Sequence, residues 1–271
     1  MKSAWKKLVV PPKTRIKLAE HDPEATEGAK GEAEARAALT HNVARLGELQ
    51  ELLWAENKRA LLIVLQGMDA AGKDGTIRHV MSGLNPQGCR VTGFKAPSAE
   101  ELDHDYLWRI HTAVPGEGEI GIFNRSHYES VLVERVHDLV PESVWSRRYD
   151  QINDFEKLLA QSGVMILKFF LHISREEQRE RLLERLHDPT KVWKCSPSDF
   201  AERPLWDAYQ RAYEDALSRC STKWAPWHII PANKKWYRNL AVSAIIVDTL
   251  AGADMHYPPP AFDVSKVTLP E

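Results

Sequence analysis

Residues 66–76 read QGMDAAGKDGT. Gly67, Gly72 and Lys73 keep the spacing of the phosphate-binding loop G-x-x-x-x-G-K-[ST]. In that loop backbone N–H groups cradle phosphates, the lysine meets the terminal ones, and a Ser or Thr hydroxyl ligates magnesium. Two carboxylates depart from the pattern: Asp74 stands in the hydroxyl position, and Asp69 lies inside the loop. A carboxylate beside a polyanion is repulsive unless a cation comes between them. Asp69 is therefore expected to ligate magnesium or organise its water shell, in part replacing the missing hydroxyl; a turn residue bonding its own backbone is the plainer alternative. Asp74 also suits the first turn of a helix, and Thr76 offers a hydroxyl two residues on. The backbone of Ala70, Ala71 and Gly75 completes the expected phosphate cradle.

A second group of residues follows an apolar run, in IGIFNRSHYE (120–129). A strand that ends in a polar residue beside a phosphate loop is where a metal ligand of Walker-B type is found. Asn124 occupies that place as a phosphate-binding and metal-binding candidate, although an amide is a weaker magnesium partner than a carboxylate. Arg125 is expected to stabilise charge on a transferring phosphoryl group. Glu129 is a candidate for holding a water or an acceptor group, or simply an acid at a helix start. A third group is the run 174–222, where Arg175, Arg179, Arg181, Arg185, Lys191 and Lys194 alternate with almost as many acids. At helical spacing Arg181 and Arg185 share a face, as do Glu180 and Glu184. Arg185 and Lys194, flanking a His-Asp-Pro turn, are the favoured phosphate contacts; for any single one of the others a solvated surface pair is the plainer reading.

These groups need elements to hold them. ALLIVLQ (60–66) is too short for a helix and apolar enough for a strand buried on both faces. The glycine loop follows it, then TIRHVMSGL as a helix, and that context makes the loop match credible. Strand patterns recur at 89–94, 119–123, 164–173 and 227–232, with helical patterns at 31–58, 98–114, 127–137, 141–162 and 235–250. In the first of these helices Leu39, Val43, Leu46, Leu49, Leu53 and Trp54 form the apolar face. Five strands alternating with helices indicate an α/β fold, a five-stranded parallel sheet between helical layers, with ligands at the carboxyl ends of the strands. The section 174–222 reads as a helical hairpin inserted as a lid, with its second helix starting near Ser196-Pro197. Residues 1–30 form an N-terminal arm, disordered or packed on the body or on a partner, 31–252 the catalytic domain, and 253–271 an extended tail.

The chain has 271 residues, a formal net charge of −2 and three well-separated cysteines. It therefore has no global basic field for nucleic acid, no disulfide or zinc framework, and no apolar run long enough for a membrane span. A reducing cytoplasm is the simplest compartment.

Together, GMDAAGKDGTI, FNRSHYE, RLHDPTKVWKCSPSDF with PLWDAY, and WHIIPANKKWYRN resemble the polyphosphate kinase 2 family over residues 60 to 245. The resemblance implies a P-loop kinase core similar to thymidylate kinase, a helical lid, Mg2+ dependence, and homodimers or homotetramers. It implies phosphoryl transfer between inorganic polyphosphate and nucleotides. Position by position, Asp69 and Lys73 match the family's loop acid and lysine, Arg125 the arginine after the third strand, and Arg185 the lid arginine. Asn124 departs from the aspartate of many members. The SHYE continuation is similar to the subgroup that phosphorylates both AMP and ADP, giving ATP. Two other readings compete: an ATP-dependent nucleoside monophosphate kinase, against which Asp74 argues, and a non-catalytic sensor that kept the loop for binding.

Overall fold

The run Ala60–Gln66 forms β1, buried along its whole length because parallel strands flank it on both sides. The computed structural model describes residues 3–268, excepting the side chains of Ser3, Ala4, Lys194, Ser198 and Asp199. The remaining strands are β2 (Cys89–Gly93), β3 (Ile120–Asn124), β4 (Val164–His172) and β5 (Trp227–Pro231). All pairings are parallel, in the order β2-β3-β1-β4-β5. The chain leaves β1 toward β2 and β3 on one side and later fills β4 and β5 on the other. The carboxyl end of β1 is thus the switch point where an open α/β sheet leaves a crevice. Register brings the site together there: Leu65 and Gly93 both pair with Asn124, and Gln66 pairs with Phe170.

The long helices, in chain order, are α1 (Glu32–Glu56), α2 (Lys73–Val80), α3 (Glu142–Gln161), α4 (Arg175–His187), α5 (Trp206–Arg219) and α6 (Lys235–Ala251). Helix α6 packs against α1 and α2, and α3 packs against β4 and the turn His127–Val131. The α1–α6 contact includes a hydrogen bond from Asn42 to Ser243 at 2.9 Å.

Four expectations need correction. The helix expected over 98–114 is two single turns, Ala99–Leu102 and Trp108–His111. Its capping box at Ser98 and Glu101 does form, but the Asp105 carboxylate then accepts the Leu107 N–H at 2.9 Å, a local bond that competes with the helix. The helix expected over 127–137 is likewise divided, into the 3-10 turn His127–Val131 and the turn Val133–Val136. There Ser126 caps the Tyr128 N–H at 3.2 Å, while His127 and Tyr128 turn into the core. In the section 174–222, only the single turn Pro197–Ala201 begins near Ser196; the second long helix starts at Trp206. Trp54 is 50% exposed rather than part of the buried face of α1.

Residues 3–30 lie on the body. Val9 forms an antiparallel bridge with His228, the Val10 N–H donates to Trp227 O at 2.8 Å, and the Ile229 N–H donates to Leu8 O at 2.8 Å. Trp5, Val10, Ile16 and Leu18 are buried. The arm therefore covers the β5 edge, which would otherwise present unpaired backbone groups.

Candidate active site

The glycine loop owes its shape to positions that only special residues fill. Gly67 has φ +152, and a Cβ there would meet Leu171 O at 2.8 Å. Gly72 has φ +105 and precedes the first residue of α2. Lys73 folds back across the loop, its ammonium donating to Gly67 O at 2.7 Å and Met68 O at 3.3 Å. Burial, then the nearby Arg125 cation, lower its pKa from the ordinary lysine value, against the pull of Asp69, Glu129 and Asp74. An anion entering the cleft would restore the balance in favour of the ammonium.

Arg125 stands directly after β3 at φ +65. It pairs with Asp69 at 2.9 Å and with Glu129 at 3.4 Å. Burial works against this cation, but Glu129 and Asp69 outweigh it and raise its pKa further. Gln66, at the end of β1, donates to both Ser126 and Glu129 at 3.1 Å and so ties the two strand ends together. Behind the turn lies a fully buried network. Lys168 on β4 donates to Glu156 at 2.6 Å, to the Tyr128 hydroxyl at 2.8 Å and to Cys220 O at 2.7 Å. Glu156 accepts from Tyr128 at 2.8 Å and meets His127 at 3.1 Å. Burial opposes the Glu156 carboxylate, yet the Lys168 charge prevails and lowers its pKa. This network fixes His127 and Tyr128, the residues two and three places after Arg125.

Helix α4 is anchored to the loop. Gln178 donates to Asp69 O at 3.1 Å. Arg181 bonds Ala70 O and Ala71 O at 3.0 Å, Ala232 O at 2.6 Å and Asn233 O at 2.8 Å, and pairs with Glu177 at 2.6 Å. It is 7% exposed, so the reading of Arg181 as a solvated surface residue is corrected: it clamps the glycine loop to the segment after β5.

These parts surround one cleft of about 800 Å³. Asp69, Ala70, Gly72, Lys73, Asp74, Gly75, Asn124, Arg125 and Arg185 all line it. Others among the expected residues do not. Ala71 is fully buried, and its N–H is committed to Met68 O at 3.0 Å rather than offered to a phosphate. Thr76 is also fully buried and donates its hydroxyl to Gly72 O at 3.1 Å, so it supplies no hydroxyl to the cleft. Gly67 and Glu129 instead line an adjoining cavity of about 30 Å³, which Asp69 and Arg125 share, beside Tyr209 and Tyr213. Asn124 donates its amide to Asp74 at 2.8 Å, which leaves only its carbonyl oxygen for a metal. The side chain of Lys194 lies outside the described residues.

The lining holds nine cationic side chains, namely Arg36, Lys73, Lys95, Arg125, Arg181, Arg185, Lys191, Lys235 and Arg238. Three carboxylates face them: Asp69, Asp74 and Glu184. A chain of net charge −2 thus concentrates positive charge where the glycine loop lies. Arg36, Lys95, Lys235 and Arg238 are absent from the sequence-level candidates. A signal for two of them was available in NKKWYRN, which places three cations directly after the last strand.

The family described as polyphosphate kinase 2 matches residues 29–258. The chain belongs to that family. It is 54% identical over 268 residues to an AMP/ADP-polyphosphate phosphotransferase of Meiothermus ruber, covering 97% of this chain and 99% of the relative. An ADP-polyphosphate phosphotransferase of Rhodopseudomonas palustris is 49% identical, over 81% of this chain and 80% of its own. The crystal structure of polyphosphate kinase 2 from Arthrobacter aurescens superposes with a TM-score of 0.94 at 47% identity, covering 97% of this chain and 94% of that one. The fold is therefore that of this kinase family, with a parallel five-stranded α/β core.

Proposed function

We propose that this protein transfers phosphoryl groups from inorganic polyphosphate to nucleotides, converting AMP to ADP and ADP to ATP. The observation that carries the reading is a cationic cleft built on the glycine loop, in a chain that matches an AMP/ADP-polyphosphate phosphotransferase over 97% of its length. In-line phosphoryl transfer asks little covalent chemistry of a protein; positioning and charge neutralisation supply the rate. The loop N–H groups and the start of α2 seat phosphates, Lys73 meets their terminal charge, and Arg125 faces the group in transfer. Arg185, in the last turn of α4, adds a cation from the lid side.

Mg2+ belongs to the same proposal. The donor set suits it: Asp69 and Asp74 give two carboxylates at the cleft, not an all-protein cage. That matches an ion which keeps several waters and takes substrate phosphate oxygens as its other ligands. When bound, Mg2+ would neutralise phosphate charge; Asp69 would hold it, and the carbonyl oxygen of Asn124 is the further candidate. Arg125 then orients the Asp69 carboxylate through their 2.9 Å pair.

The test is a nucleotide panel with polyphosphate and Mg2+, starting from AMP and from ADP separately, with no ATP supplied. ADP and ATP are expected from AMP. Product that appears only when ATP is added would turn the reading to an ATP-dependent monophosphate kinase, and stoichiometric binding without turnover to a sensor. A cytoplasmic homodimer or homotetramer is proposed with it, and light scattering measures the assembly. Cys89, Cys195 and Cys220 are unpaired, and no helix of the described residues is long and apolar enough to cross a membrane.

A further inference from the structure

Three arginines flank the glycine loop, and their charges are met differently. Arg125 has Asp69 and Glu129, and Arg181 has Glu177. Arg238, in the first turns of α6, is 3% exposed and makes no ion pair among the described residues. Its Nε and Nη2 donate to the Asn239 side-chain oxygen at 3.1 and 2.9 Å, and Nη1 donates to Ala71 O at 3.4 Å. All its partners are neutral. Burial, then the nearby Arg181 cation, both act against its charge. A guanidinium nevertheless keeps its proton inside proteins, and an unanswered buried charge is costly to the fold.

The position of this cation ties it to phosphate binding. A Cβ built on Gly72 would fall 1.8 Å from Arg238 Nη1, and one on Gly75 would fall 3.2 Å from Nη2. The guanidinium therefore lies against the backbone where α2 begins, and it lines the same cleft as Lys73. Arg238 and the N-terminal end of α2 both place positive potential there, on the cleft that Lys73 also lines. Without an anion the Arg238 charge has only the opposing Arg181 cation and neutral hydrogen-bond partners near it. With phosphates seated on the loop, that charge is compensated.

We propose that Arg238 is a phosphate-binding residue, whose buried charge is balanced by the phosphate groups seated at the Gly72–Gly75 end of the loop. The inference rests on reading the cleft as a polyphosphate transferase site. It explains why a costly cation is packed beneath a glycine loop with only neutral partners. It also gives Gly72 a second reason to be glycine, since any side chain there would displace the guanidinium.

The experiment compares the parent protein with Arg238→Met and Arg238→Lys. Affinities for inorganic tripolyphosphate and for ADP are measured separately by calorimetry in the presence of Mg2+. Losing a charge-assisted contact should weaken binding of the phosphate probe that occupies the loop by about tenfold or more. Arg238→Lys should recover most of that loss. A deficit confined to tripolyphosphate assigns the loop to the polyphosphate chain, and one confined to ADP assigns it to the nucleotide. The proposal is overturned if both affinities in Arg238→Met stay within about threefold of the parent, or if the loss is not recovered by lysine. The second outcome would mark Arg238 as a packing residue only. If the parent instead binds tripolyphosphate but makes no nucleotide product from polyphosphate, the proposed function fails while this comparison still reports on phosphate binding.

Discussion

Lys73 and Asp69 face opposite demands at the same loop. Lys73 is held by the carbonyls of Gly67 and Met68, which preset its position but supply no counter-charge. Asp69 is held by Arg125, which keeps one carboxylate oxygen engaged while the side chain still faces the cleft. Lys73→Ala removes the cation proposed to neutralise phosphate charge, and Asp69→Asn removes the charge proposed to hold Mg2+. Each is expected to lower turnover on the order of a hundredfold or more, the scale of losing one electrostatic contact in transfer. Thermal melting should stay close to the parent's, because neither side chain is a core contact; near-normal turnover in a folded variant would refute the assigned role. Gly72→Ala should behave differently. Its Cβ would fall 1.8 Å from Arg238 Nη1 at a φ of +105, so loop and guanidinium cannot both keep their places. A stability loss of ~1–3 kcal/mol in urea is expected, together with weaker phosphate binding.

At the scale of elements, Arg181 decides how α4 meets the core. Four carbonyl bonds and the Glu177 pair join α4, the glycine loop and the segment after β5. Arg181→Met would remove this donor from Ala70 O, Ala232 O and Asn233 O, while Ala71 O keeps Arg238 Nη1 at 3.4 Å. We expect a loss of at least ~3 kcal/mol in urea unfolding, given about 1–3 kcal/mol for each buried polar group left unpaired. Arg185→Met, at the cleft end of the same helix, should instead lower turnover more than stability. The sequence pattern distinguishes these two arginines poorly, since both sit on one polar helical face. What separates them is the segment Ala232–Asn233 lying across from Arg181, a contact between residues 51 and 52 positions apart. The strands are legible for the opposite reason. β1 and β4 are buried by neighbours on both sides, so their composition alone marks them. The divided turns at 98–114 and 127–137 are not legible from periodicity, because Asp105 and Ser126 capture backbone N–H groups that the helical pattern would use. NKKWYRN marks Arg238 as one cation of a cluster, but not that it is buried among the apolar residues of α6.

Over the whole molecule, the arm and the sheet are joined through histidines that packing keeps neutral. His172, at the end of β4, bonds His21 O at 3.0 Å, and His228 on β5 bonds Lys168 O at 3.2 Å, directly beneath the arm's bridge at Val9. The other ring nitrogen of each, His172 Nδ1 and His228 Nε2, is buried without a partner among the described residues. Protonation would place a charged N–H at each of these buried positions. Burial accordingly lowers both pKa values from 6.5 to about 4. The direction of the pH effect follows. In the unfolded chain these imidazoles take up protons as pH falls through 6.5, whereas the folded chain resists until about 4. Their contribution to stability is therefore complete above pH 6.5 and is lost progressively as pH falls toward 4. By pH 5 the loss should be on the order of 2 kcal/mol for each histidine. Urea titrations at pH 7.5, 6.5 and 5 measure it. Replacing both histidines by glutamine should flatten the fall between pH 6.5 and 5, even if the variant starts less stable at pH 7.5. An unchanged slope in that variant would assign the acid sensitivity to the carboxylates and leave these two imidazoles without a part in it.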